Sequence, residues 1–222
     1  DVQNQTAEME VSQITDFPKP GADPSSVERA AHLLLSGKRV GVLAGCGVHR
    51  SAASKELTKL AEALGIPVMT TAAGKGAIPD DHALSLGPNS AMVGSSPSPV
   101  KALWDSLDTL LIVGSSLAYA RTKATGLELP PNIIQIDIDQ ESIGRLYEVN
   151  TGLVGDAKIV INQIQAAVEG KPTGIEAGFG QEITDLKQSI NDYWRNRQPN
   201  EWATMEVIRN SIDRDAIIFG DV

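Results

Sequence analysis

Apolar positions along this chain keep two rhythms in alternation. Val27, Ala30, Ala31, Leu34 and Leu35 fall at helical spacing, with Pro24-Ser25-Ser26 offering an N-cap and Gly37 closing the run. Short stretches that are apolar at nearly every position follow at 39–45, 66–71, 84–87, 109–114, 132–137 and 152–155. Helical patterns separate several of them: 51–64, with Leu57, Leu60, Ala61 and Leu64 on one face, then 98–106, and 156 to about 168. A strand that is apolar on both faces must be covered on both faces. The alternation therefore predicts an α/β fold, a six-stranded parallel doubly wound (Rossmann-like) sheet with helices on both faces.

The flanks read differently. Residues 1–24 are polar and carry Pro18, Pro20 and Pro24, the mark of a linker laid over a surface. The predicted domain runs over 25–170, and a Gly- and Pro-containing second linker over 171–180. After it, 181–222 holds two helical patterns, 181–197 and 201–211, and an apolar strand at 215–222.

Hydrophobic residues make up 41% of the chain but aromatics only 4%, so the core must be aliphatic. A net charge of -9 argues against a non-specific nucleic-acid binder or a binder of anionic membranes, both of which need basic surface. Cys46 is the only cysteine, so no internal disulfide can form, which fits a reducing cytoplasmic setting. No apolar run is long enough to span a bilayer, and the start shows no signal-peptide pattern. The opening Asp1-Val2-Gln3, without Met, is expected of a piece of a longer polypeptide.

Candidate chemistry gathers at strand ends. Gly45-Cys46-Gly47-Val48 follows the first strand and precedes a helix, where bare backbone could face a pyrophosphate. It is not the dehydrogenase fingerprint. Arg50 stands where the third glycine belongs, and the second strand ends in Met69-Thr70-Thr71 with no ribose-binding acid. A plain tight turn remains open as the alternative. Gly74 and Gly76 flank Lys75, and there too backbone could approach a ligand. Gly114-Ser115-Ser116 ends the fourth strand. Asp137-Ile138-Asp139, with Glu141 close behind, ends the fifth; it could be a metal site, an acid/base pair or simply a helix cap. Cys46 reads as a small apolar filler in a buried turn. His49 is the one histidine beside the possible phosphate turn, and Trp194 and Trp202 read as packing residues.

The stretch from Gly65 to His82, Gly-Ile-Pro-Val-Met-Thr-Thr-Ala-Ala-Gly-Lys-Gly-Ala-Ile-Pro-Asp-Asp-His, resembles the middle domain of thiamine-diphosphate-dependent enzymes of the acetolactate synthase and 2-oxo-acid decarboxylase group. The family signature is similar to "IPV-x-TT-x-x-GKGA-IP-x-DH". Ile136-Asp137-Ile138-Asp139 with Ile143-Gly144 is similar to its "DID-x-x-x-IG" run, and both chain ends are similar to its domain junctions. The resemblance implies thiamine diphosphate and Mg²⁺ bound by flanking domains of a homodimeric or homotetrameric parent enzyme. It also implies a 2-oxo acid substrate, and neither a catalytic residue nor a metal ligand in this chain. In some members, glycines like Gly45, Gly47 and Gly114 line a groove for FAD or ADP, with an arginine two residues after the third. Here that place holds Ser116, with Arg121 the nearest substitute, so FAD or ADP is disfavoured. If the groove does take a nucleotide, a bulky residue at Gly47 should block it and spare the fold. The competing reading is a stand-alone nucleotide-binding module, sirtuin-like or electron-transfer-flavoprotein-like. A sirtuin, though, needs a zinc-binding cysteine cluster that one cysteine cannot make.

Overall fold

The computed structural model describes residues 18–88, 99–119, 122–213 and 216. Six strands form one parallel sheet: β1 (Val40–Ala44), β2 (Val68–Thr70), β3 (Ser85–Pro88), β4 (Thr109–Val113), β5 (Asn132–Asp137) and β6 (Thr151–Val154). Their order is β3-β2-β1-β4-β5-β6, so the chain starts in the middle, winds to one edge, returns and winds to the other. The register sets Val42 beside both Val68 and Leu111. The doubly wound α/β sheet expected from the sequence is the observed one.

Each strand alternates its apolar residues between two cores. Val40, Val42, Ala44, Leu111 and Val113 point to the first, with α1 (Pro24–Ser36), α3 (Ser54–Leu64) and α5 (Ala157–Val168) over them. Leu43, Met69, Leu110 and Ile112 point to the second, covered by α4 (Pro99–Ser106) and by α6 (Phe179–Arg197). The helix faces predicted from spacing are buried: Val27, Ala30, Ala31 and Leu34 on α1, and Leu57, Leu60, Ala61 and Leu64 on α3.

Several local expectations need correction. The cap of α1 is Asp23, not a serine: its carboxylate accepts from the Ser26 N–H at 3.0 Å, with Pro24 at the first helical position. The helix expected at 51–64 starts three residues later, as α3, and is preceded by a short helix α2 (Gly47–Arg50); Ala52, in the left-handed conformation at φ 52°, separates the two. At the other end of α3, Gly65 stops the helix in the left-handed region at φ 66°. His82 holds the turn before β3, accepting from the Leu84 N–H and reaching Glu62 at 3.1 Å.

The expected linkers are stitched to the domain where they are described. The Pro20 carbonyl accepts from the Asp156 N–H at 2.8 Å, and Ala22 exchanges two hydrogen bonds with the Gln163 side chain. Gly174 N–H donates to Leu35 at 2.6 Å and Glu176 N–H to Lys38 at 2.9 Å. After α6 comes α7 (Pro199–Ser211), none of whose residues is buried. The strand expected at 215–222 and most of the segment 1–24 lie outside the described residues. No described helix is long and apolar enough to cross a membrane.

Candidate functional site

The strand order reverses between β1 and β4, and at such a point the loops leaving the carboxyl ends part and leave a crevice. A cleft of about 430 Å³ lies there. It is lined by six of the residues expected to face a ligand: Gly47, Gly114, Ser116, Asp137, Ile138 and Asp139. The three loops thus converge on one rim of the sheet. Lys19, Arg50 and Asp156 also line it; Asp156 is expected from the sequence only as a helix cap, and its place beside Lys19 comes from the fold. Cys46 is half-exposed on the cleft wall rather than a buried filler.

The glycines serve the backbone of the protein itself. A Cβ at Gly47 would stand 2.5 Å from the Gly114 Cα, and one at Gly45 would stand 2.3 Å from the Gly114 carbonyl oxygen. Gly114 sits in the left-handed region at φ 60°. The β1 and β4 loops cross at a distance only glycine allows, so a bulky residue at Gly47 would not spare the fold. Their amides are spent in the same seam. Gly45 N–H donates to Val113 O at 2.8 Å, Gly47 N–H to Gly114 O at 3.0 Å, and Gly114 N–H to Ile136 O at 2.8 Å. On the neighbouring loop, Gly155 N–H donates to Asp137 O at 2.9 Å. The Val48 and His49 amides fold back onto the Gly45 and Cys46 carbonyls.

The carboxylates are occupied as well. Asp137 accepts from the Asp139 N–H at 3.0 Å. Asp139 accepts from the Glu141 N–H at 3.0 Å and the Ser142 hydroxyl at 2.9 Å, so it caps the short turn Gln140–Ser142. Asp156 caps α5 through the Lys158 and Ile159 amides and pairs with Lys19 at 3.2 Å. Burial pushes the Asp156 carboxyl up, but hydrogen bonds from Lys19, the Ile159 N–H and Ser51 outweigh it and hold the group below the usual aspartate range. Of the readings open for the Asp137–Asp139 loop, the geometry matches the cap.

Other expected residues stand away from the cleft. Gly45 is buried behind it, and Val48 is fully buried in the first core. The Ser115 side chain accepts from the Leu117 N–H at 3.4 Å, and its carbonyl accepts from Gln135. Gly74 lacks a side chain because the Ala44 carbonyl oxygen would lie 2.2 Å from its Cβ, not to admit a ligand. Lys75 is exposed and pairs with Asp80 at 3.7 Å. The His49 ring reaches the Lys75 carbonyl at 2.9 Å, tying the first-strand turn to this loop. Arg121 lies outside the described residues.

The described residues do not fit a diphosphate held through Mg²⁺. A diphosphate with Mg²⁺ needs free carboxylates grouped around the metal, and no group of three or more potential ligands occurs among the described residues. For a nucleotide pyrophosphate the cleft offers the guanidinium of Arg50 on its wall, but the amides of Gly47 and Gly114 are spent, Lys19 is paired with Asp156, and three carboxylates face the same space.

Comparison with known proteins identifies the architecture. A family profile described as "Thiamine pyrophosphate enzyme, central domain" matches residues 27–164. The chain is 38% identical over 183 residues to a "probable acetolactate synthase large subunit" of Methanocaldococcus jannaschii, covering 79% of this chain and 30% of that protein. It is 28% identical to a sulfoacetaldehyde acetyltransferase of Roseovarius nubinhibens, covering 98% of this chain and 40% of that one. The crystal structure of benzoylformate decarboxylase from Polynucleobacter necessarius superposes with a TM-score of 0.56 at 20% identity, over 76% of this chain and 33% of that chain. At that identity the match speaks for the fold alone. The chain thus spans less than half the length of each of these relatives, and the matches favour the thiamine reading over a stand-alone nucleotide module. The doubly wound sheet, the signature from Gly65 to His82 and a profile match over most of the ordered core agree: this chain belongs to the family of thiamine pyrophosphate enzyme central domains.

Proposed function

We propose that this chain is the central, scaffolding domain of a thiamine-diphosphate-dependent enzyme that decarboxylates or condenses 2-oxo acids, in the manner of acetolactate synthase. One observation carries the reading: the profile match over 27–164 coincides with a chain that covers only 30% to 40% of its relatives. Most of such an enzyme is then contributed by other domains. On this reading thiamine diphosphate and Mg²⁺ sit in flanking domains of a homodimer or homotetramer in the cytoplasm. When bound, the cofactor supplies an electron sink for the carbanion left by carbon dioxide. This chain contributes no catalytic side chain. It contributes a stiff spacer: two aliphatic cores on one sheet, with the strand-end loops locked to one another by glycine contacts.

The test is a pair of preparations, this chain alone and the full parent polypeptide, each given thiamine diphosphate, Mg²⁺ and a panel of 2-oxo acids. The parent should release carbon dioxide from at least one acid. The chain alone should release none, and calorimetry should detect no Mg²⁺-dependent cofactor binding to it. Turnover or tight cofactor binding by the chain alone would overturn the scaffolding role, and a parent inert toward every acid would overturn the reaction class.

A further inference from the structure

The second face of the sheet lacks a crossover helix at its β2–β3 edge. Between those strands the chain makes only the short turn Ala72–Gly74, so Met69 and Leu86 must be covered from elsewhere. The cover is α6. Phe179 and Ile183 are buried in the second core, and Leu186 and Ile190 pack against it, a stripe at intervals of four, three and four residues. Past Ile190 the helix leaves the sheet. Trp194 is half-exposed, and Arg195 ties the outgoing end to α7 through Glu206 at 3.5 Å and the Trp202 ring at 5.2 Å.

Two cations pin the seated half. Arg39, at the foot of β1, stacks on Phe179 at 4.7 Å and pairs with Glu176 at 3.2 Å and Glu182 at 2.6 Å. Two turns further along, half-buried Lys187 donates from Nζ to the carbonyls of Asp80 and Ser85, at 2.5 and 2.6 Å. Those two carbonyls bracket the turn that joins the Gly74-Lys75-Gly76 loop to β3. The Asp80 side chain pairs in turn with Lys75.

We infer that α6 is a strap closed by Lys187, and that the ammonium group of this residue couples the seating of the α6–α7 arm to the order of the 75–85 loop. Ser85 is buried, so its carbonyl oxygen calls for a protein donor, and the same ammonium reaches the carbonyl of exposed Asp80. Among the described residues, the donor brought to both from outside the loop is carried by α6, whose Phe179 and Ile183 share the second core with Met69 and Leu86. Burial lowers the Lys187 affinity for its proton and the Asp80 and Asp81 carboxylates oppose that loss, which agrees with an ammonium taken from water and held by the loop. The inference does not depend on the enzyme class proposed above. It concerns how the segment leaving this domain is held to it.

Native-state hydrogen exchange on the full 222-residue chain tests it, with wild type, Lys187→Met and Lys187→Arg compared. In wild type, residues 179–190 and 80–88 should exchange together and faster than β4, as one local opening unit. Lys187→Met keeps the length and loses the donors, so exchange in both segments should rise by about tenfold or more, because a charged donor's hydrogen bond is worth at least a decade in an equilibrium constant. Exchange in β4 and β5 should stay within about twofold, and Lys187→Arg, which retains donors, should restore most of the protection. A methionine variant whose two segments exchange like wild type would overturn the strap, and so would a rise spread evenly through β4 and β5. Should that variant fail to fold, the wild-type pattern decides alone: α6 exchanging independently of 80–88 also overturns it.

Discussion

Replacing Gly47 with alanine asks whether the strand-end glycines serve the protein or a ligand. The added Cβ would stand 2.5 Å from the Gly114 Cα and 3.1 Å from the Gly114 carbonyl oxygen. Both neighbours are backbone, so no side chain can swing aside. Favourable carbon–carbon contact begins at about 3.5 Å, so the seam must open by roughly an ångström. Gly114 has little room to retreat, since its N–H is bound to Ile136 at 2.8 Å. Opening also breaks the Gly47 N–H bond to the Gly114 carbonyl. The lost hydrogen bond costs about 1 kcal/mol and the overpacking about 1–3 kcal/mol, together about 2–4 kcal/mol. Against a total of about 5–15 kcal/mol this is large, and at about 2–4 °C per kcal/mol it should lower Tm by roughly 4–16 °C. Gly180→Ala is the matched control. Nothing lies within 4 Å of its Cβ and it sits in the first turn of α6, so alanine there should be neutral or stabilise by up to about 0.5 kcal/mol. Urea unfolding followed by circular dichroism reads both. If Gly47→Ala stays within about 0.5 kcal/mol of wild type, the fold does not need that glycine, and the steric argument for the seam fails.

Three further outcomes follow from the same geometry. Asp156→Ala removes the α5 cap and should cost about 1 kcal/mol at neutral pH. Because folding holds the Asp156 carboxyl below its ordinary value, that contribution is complete above the unfolded pKa and is lost as pH falls through the folded one; urea midpoints of variant and wild type should differ at pH 7 and converge below about pH 4. Phe179→Ala empties a buried aromatic site and should cost about 3–5 kcal/mol in urea unfolding; a loss under about 1 kcal/mol would mean that α6 is not part of the second core. Gly65→Ala meets no atom within 4 Å but must hold φ 66°, so its cost in the same assay should be the left-handed penalty alone, about 1–2 kcal/mol.

The sheet was legible in the sequence because its strands are apolar at nearly every position, which only a doubly covered parallel sheet satisfies. Runs such as Thr109–Val113 left little choice. The α2–α3 break was not legible. Ala52 carries no turn signal, yet it closes α2 in the left-handed conformation, with the Ala52 and Ala53 amides donating back to the His49 and Val48 carbonyls. The Asp23 cap was legible and overlooked: an acid directly before Pro24 is a helix start. The membership of α6 in the second core was half-visible. The stripe Phe179, Ile183, Leu186, Ile190 has the right spacing, but the glycines between 174 and 180 drew attention to a linker. At the site, the convergence of Gly47, Gly114 and Asp137 followed from the expected winding. What spacing could not reveal was what the glycines are for. A glycine near a ligand and a glycine near another loop's carbonyl look alike in sequence, and Gly74 against Ala44 is the second kind. The pairing of Lys19 with Asp156 needed the fold.

If the chain has the scaffolding role proposed above, the cleft and the strap bear on one question, what such a domain gives its parent enzyme. At the switch point of an open α/β sheet the usual resources for ligands are loose amides, a helix end and an acid or two. Here most of them are turned inward. The glycine amides close the β1–β4 seam, and α2 folds its first amides onto its own turn. Asp137, Asp139 and Asp156 fix the loops and the helix that follow them. Those bonds make the carboxyl edge of the sheet stiff, and stiffness is what a spacer between reacting domains requires. At the β3 edge the arrangement is the opposite. The cover is a helix from beyond the domain's last strand, held by two cations, and its far end runs out into α7. Motion between this domain and whatever follows it is therefore expected at α6 and the 75–85 loop rather than at the cleft, and that is where a substitution far from any cofactor could still change turnover of the parent enzyme.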